Sequence, residues 1–132
     1  MTATMGGEAL AYVLRGTILA LVRRDDVDLT SRQLGVFLTV YLTAGPHTVR
    51  GLAAELNVSK PAITRALDRL GELSLVQRKV DPMDRRSVLV QQTRAGDAFL
   101  AGLPRSWRQQ ARNISPRRRE HPRRDTGYAR RR

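Results

Sequence analysis

The sequence predicts a mainly α-helical protein with one small β-hairpin and a basic C-terminal tail. Three observations lead there. Several segments space their apolar residues with a helical period, and most begin on a Ser or Thr able to cap a helix. Two β-rich runs, 75–80 and 87–91, flank a polar turn. After residue 103 the apolar pattern gives way to arginine and proline.

Taken in order, Met1 to Gly7 is small and flexible in composition. Glu8 to Arg24 reads as a helix with Leu10, Leu14, Thr17 and Leu21 on one stripe, widened by Val13, Ile18 and Val22. So wide a stripe seeks burial on more than one face. A core helix is the favoured reading and a dimer interface the alternative. Asp25 to Asp28 is an acidic loop. Thr30 and Gln33 then form a capping box, and Leu29 and Leu34 occupy the two staple positions. Leu34, Phe37, Leu38 and Tyr41 share one face of the helix that follows, which Gly45-Pro46 ends.

Thr48 caps the next helix, whose Val49, Leu52, Ala53 and Leu56 lie on one face. Asn57 suits the left-handed conformation that closes a helix. After a tight turn Ser59 is an N-cap, Pro61 sits in the first turn where its missing N–H costs nothing, and Val58 and Ile63 form a second staple. Ile63, Leu67 and Leu70 face inward, which leaves Lys60, Ala62, Thr64, Arg65, Asp68 and Arg69 outward. Strands follow at Leu75 to Val80 and Ser87 to Gln91, joined by the polar turn Asp81-Pro82-Met83-Asp84-Arg85-Arg86. Thr93 caps a last helix bearing Ala95, Ala98, Phe99 and Leu103. Tyr12, Phe37, Tyr41 and Phe99 fall on inward stripes, and an aromatic content of 5% leaves little for a single-strand stacking platform.

The 132 residues carry 24 basic and 12 acidic side chains, a formal charge of +12. Such a balance favours a polyanionic partner. It is unevenly placed. Residues 1–103 hold 13 basic and 10 acidic groups, a net of +3, whereas residues 104–132 hold 11 arginines against Glu120 and Asp125, a net of +9. The expected organisation is a domain over 1–103 and an arginine-rich, largely disordered tail over 104–132. Within the tail, Arg105 to Asn113 is compatible with a charged helix. Cysteine is absent, which excludes disulfides and thiol chemistry and fits a reducing cytoplasm. His47 and His121 alone cannot build a zinc site. The apolar stretch Ala9 to Val22 is interrupted by Arg15 and too short to span a bilayer. A cytoplasmic protein without cofactor, metal or membrane contact is expected.

Two one-faced helices joined by a short turn form a helix-turn-helix, and a hairpin with arginines at its tip directly after them makes the plan a winged helix-turn-helix with flanking helices. A major groove about 12 Å wide admits one helix. That helix needs an apolar inner face and small, hydroxyl or basic groups near its N-terminus. Ser59, Lys60, Pro61, Ala62, Thr64 and Arg65 supply them, with Arg69 one turn beyond Arg65. Arg65 is the best candidate for a base edge, since a guanidinium pairs with guanine bidentately. Its alternative is a solvated ion pair with Asp68, and Arg69 has an equal claim to being an ordinary surface charge. At the wing tip Arg85 and Arg86 suit a narrow minor groove, and Asp84 is placed to position one of them. Thr48 and Arg50, at the start of the preceding helix, complete the candidate DNA-binding set.

From Leu29 to Leu100 the chain resembles the MarR family of bacterial transcription regulators. The resemblance rests on Leu29-Thr30-Ser31-Arg32-Gln33-Leu34, on Leu52 through Arg65, on Leu67-Asp68-Arg69-Leu70, and above all on the wing run Asp81-Pro82-Met83-Asp84-Arg85-Arg86-Ser87-Val88-Leu89-Val90. It implies a dimer that binds a pseudo-palindromic double-stranded DNA operator, usually as a repressor. The recognition helix, about Lys60 to Leu73, enters the major groove, and Arg85 or Arg86 enters the minor groove. A small-molecule effector commonly releases the DNA. The chain departs from the family pattern twice. Ser74 stands near where the family usually has glycine, and the arginine-rich tail occupies the place of a dimerisation helix.

An enzyme is the weakest reading, because no catalytic carboxylate pair, Ser/His/Asp set or Gly-rich phosphate loop is present. The alternative function is a non-specific, nucleoid-associated-like nucleic-acid binder that acts through its basic tail.

Overall fold

The computed structural model describes residues 6–113, with side chains through Leu103. The elements are α1 (Gly7–Val22), α2 (Ser31–Leu42), β1 (His47–Thr48), α3 (Val49–Leu56), α4 (Lys60–Glu72), β2 (Val76–Val80), β3 (Val88–Gln92) and α5 (Arg94–Asn113). The three strands form an antiparallel sheet in the order β1-β3-β2. The mainly helical winged helix-turn-helix expected from the sequence is the observed fold. Of the tail expected over 104–132, α5 continues through Pro104 to Asn113, and residues 114–132 lie outside the described residues.

Local chemistry sets the helix starts. The Thr30 hydroxyl accepts from Gln33 N–H at 3.2 Å while the Gln33 side chain accepts from Thr30 N–H at 2.9 Å, closing both halves of the capping box. Thr48 Oγ1 accepts from Gly51 N at 3.0 Å, Ser59 Oγ from Ala62 N at 3.3 Å, and Thr93 Oγ1 from Gly96 N at 3.0 Å. Asn57 closes α3 in the left-handed region with φ 54°. The second helix ends earlier than Gly45-Pro46, with Thr43 as its C-cap.

Ser74 also has positive φ, at 59°. Leu75 N–H reaches Leu70 O and Ser74 N–H reaches Gly71 O, both at 2.9 Å, so α4 ends in a Schellman motif without glycine at its left-handed position. A side chain there carries a steric cost that glycine avoids. Ser74→Gly is therefore expected to raise stability by up to about 1 kcal/mol, read as a higher urea midpoint at unchanged m-value.

The core gathers around α2, which packs against α3, α4 and β3. Phe37, Leu52, Ile63, Leu67, Leu70, Val36 and Val40 are its largest fully enclosed side chains. Phe37 stacks on Tyr41 with centroids 4.4 Å apart and meets Phe99 of α5 edge-on at 5.2 Å. The Tyr41 hydroxyl donates to Leu75 O at 2.7 Å and accepts from Thr93 N at 2.9 Å. One phenol thus ties α2 to the ends of both wing strands. Gly96 lies against that hydroxyl and Leu75 O, so closely that a Cβ would overlap them. On the other side of Phe99, Arg24 lies 5.0 Å from the ring centroid and pairs with Asp26 through two hydrogen bonds of 3.0 and 2.9 Å. Those hydrogen bonds hold the Asp26 carboxyl below its ordinary pKa and raise that of Arg24.

The first helix corrects the core reading of its stripe. Gly16 and Thr17 are its buried residues, whereas Leu10 (52%), Leu14 (62%), Ile18 (42%) and Val22 (72%) are exposed. Tyr12, expected inward, is exposed as well. The physical reason is a shortage of partners. Helix α1 packs chiefly on α5, and one neighbour covers only one side of a helix whose apolar residues run more than halfway round it.

Candidate nucleic-acid interface

The wing is built by its own carboxylates. Asp81 Oδ1 accepts from Met83 N at 2.9 Å, and Asp81 N–H donates to Ser87 O at 2.9 Å. Asp84 Oδ1 accepts from Arg86 N at 3.1 Å, and its Oδ2 accepts from Ser87 Oγ at 3.2 Å. Asp84 therefore sets the backbone that carries Arg86, as its position in the sequence suggested. Below the tip, β2 and β3 pair from Val80↔Val88 to Val76↔Gln92.

Strand β1 consists of two residues only, and sequence reasoning missed it. Its Thr48 pairs with Leu89 of β3 and is also the N-cap of α3. A single residue thereby fixes the start of α3 against the wing. The N-terminal ends of α3 and α4 and the near side of the wing enclose a groove of about 480 Å³. Of the candidate residues, Thr48, Arg50, Lys60, Thr64, Asp84 and Arg86 line it, joined by Val49, Ser87 and Val88. Three cations face one carboxylate, and that carboxylate's oxygens already accept bonds within the wing. Two helix N-termini add positive dipole ends, so the groove suits an anion such as a phosphate.

The other candidates do not line the groove. Ser59 and Pro61 are exposed at the start of α4, Ala62 is half-buried, Arg65 is exposed next to Thr64 in sequence, on the helix face that carries Pro61 and Asp68, and Arg85 is exposed at the tip. Arg69 is half-buried and bonds Glu72 at 3.3 Å, which supports its reading as a structural surface charge. The proposed Arg65–Asp68 pair does not form. Asp68 is taken by Arg78 of β2 at 2.6 Å, and Arg65 has no ion-pair or hydrogen-bond partner among the described residues. Arg78 and the groove residues Val49, Ser87 and Val88 were not singled out from the sequence. Only the three-dimensional packing of wing on helix brings them in.

Among the described residues no group of three or more His, Asp or Glu is placed to hold a metal ion. No described helix is long and apolar enough to cross a membrane.

A helix-turn-helix joined to a wing, with unpaired cations along one exposed face, is the architecture of DNA-binding transcription regulators. The chain belongs to the MarR family, whose model matches residues 18–87. Solved structures agree in fold. The transcriptional regulator Tm0710 from Thermotoga maritima is similar with a TM-score of 0.68 at 22% identity, over 81% of this chain and 72% of that one. The S. aureus MepR–DNA complex gives a TM-score of 0.65 at 17% identity, over 80% of this chain and 85% of that one. CouR from Rhodococcus jostii RHA1, solved bound to p-coumaroyl-CoA, gives 0.55 at 24% identity, over 83% and 72%. No curated protein matches the sequence.

Proposed function

We propose that the protein is a sequence-specific repressor that binds double-stranded DNA and has no catalytic chemistry. The observation that carries this reading is the cationic groove shared by α3, α4 and the wing, with Arg65 exposed on the same helix as Lys60 and Thr64. Helix α4 enters the major groove with Arg65 directed to a base edge, and Ser59, Pro61 and Ala62 allow close approach. Arg86, held through its backbone by Asp84, lines the groove beside α4. Arg85 at the tip is free to reach the adjacent minor groove. Thr48 and Arg50 contact the backbone. That MepR, a protein of the same fold, is solved in complex with DNA supports DNA as the partner.

The protein acts as a cytoplasmic homodimer, with the exposed apolar side of α1 meeting a second copy. Residues 1–103 form the reading domain, and 104–132 add a salt-sensitive, sequence-independent attraction for DNA. The ligand in CouR supports a small-molecule effector here too.

Arg65→Ala tests the reading. It is expected to weaken binding to a preferred duplex by about 1–3 kcal/mol and to relax discrimination at one base position. The check is a fluorescence titration against single-base variants at fixed salt. Equal loss on every sequence would reduce Arg65 to a phosphate contact.

A further inference from the structure

Helix α4 carries three cations, Lys60, Arg65 and Arg69, and two carboxylates, Asp68 and Glu72. Arg65 and Asp68 stand three residues apart, a spacing at which helical side chains of opposite charge meet. Glu72 is occupied by Arg69 on its own helix. Asp68 has two arginines to choose from, Arg65 on its helix and Arg78 on the first wing strand, and it bonds Arg78 at 2.6 Å. The wing thus supplies the cation that takes Asp68 in place of Arg65. Every carboxylate on the helix is then engaged, and Arg65 is left exposed without a partner among the described residues.

We infer that Arg78 is a positioning residue for DNA reading: by holding Asp68 it keeps Arg65 free for a base edge. This inference rests on the proposed role of Arg65. It differs from a simple phosphate contact in what it requires of Asp68. Without Arg78, Asp68 turns to Arg65 and competes with DNA for the guanidinium. The competition reduces discrimination between sequences, whereas loss of one phosphate contact weakens all sequences alike. Exposed pairs of this kind are weak, with Arg78 and Asp68 side chains 37% and 53% exposed, so the effect is modest in size and specific in pattern.

The test uses the full chain and two probes: a duplex of about 30 base pairs that the unaltered protein selects from a randomised pool, long enough for two half-sites, and a scrambled duplex of the same composition. Arg78→Ala is expected to lower the ratio of selected to scrambled affinity by about three- to fivefold. Adding Asp68→Asn to Arg78→Ala is expected to restore the ratio, and Arg78→Lys to preserve it. Thermal melts of each variant establish that the domain is folded. An unchanged ratio in folded Arg78→Ala, or failure of Asp68→Asn to restore it, overturns the inference. A ratio that collapses on Arg65→Ala yet ignores Arg78→Ala leaves the DNA-reading proposal standing and removes this one alone. If the unaltered protein has no preference between the probes, both fall.

Discussion

Phe37→Ala is expected to cost about 3–5 kcal/mol of stability, the range for emptying a large aromatic site in a close-packed core. Phe37 is fully buried, and it is the ring against which Tyr41 and Phe99 pack. Collapse into the space is difficult, because Tyr41 is held by Leu75 O and Thr93 N and cannot shift without opening those bonds. Removing the ring therefore loosens the joint between α2, α5 and the wing strands at once. Equilibrium urea unfolding checks it. A loss below about 1 kcal/mol would mean that this cluster does not hold the domain together.

The second large effect concerns the outer face of α1. Leu14→Asp with Val22→Asp is expected to convert the proposed dimer to a monomer and to lower operator affinity by about 10²–10⁴-fold, the gain that coupling two half-site contacts commonly supplies. Both side chains are largely exposed within one chain, at 62% and 72%, so the charges burden the interface and leave the monomer's core intact. Sedimentation or light scattering reads the association state, and a thermal melt reads the fold. An unaltered dimer with full affinity would locate the contact elsewhere.

How much of this was legible in the sequence depended on how local the governing chemistry was. The capping box at Thr30 and Gln33, the caps at Thr48, Ser59 and Thr93, and the left-handed Asn57 were readable because each involves groups within a few residues. The wing tip was readable for the same reason, since Asp84 acts on Arg86 and Ser87. Long-range choices were not. Strand β1 is too short to show alternation, and it exists because β3 arrives to pair with it. The apolar stripe of α1 is the same whether a core or a second copy covers it, so periodicity could not settle which side chains stay exposed. Asp68 had a plausible local partner in Arg65, and a residue across the fold won. Ser74 showed the reverse case: a residue poorly suited to positive φ accepts it because two backbone hydrogen bonds close the helix there.

Charge needs the same care. Of the formal +12, the share carried by residues 104–132 is +9, and attraction through those arginines distinguishes no sequence from another. Reading must come from the placement of a few groups on a domain of net +3. The most direct test of that claim is selection of duplexes from a randomised pool by the full-length protein at near-physiological salt. The expected outcome is recovery of one pseudo-palindromic sequence with half-sites about one helical turn, some 10 base pairs, apart. Recovery of duplexes with no shared sequence would contradict it and assign the binding to the arginine-rich segment.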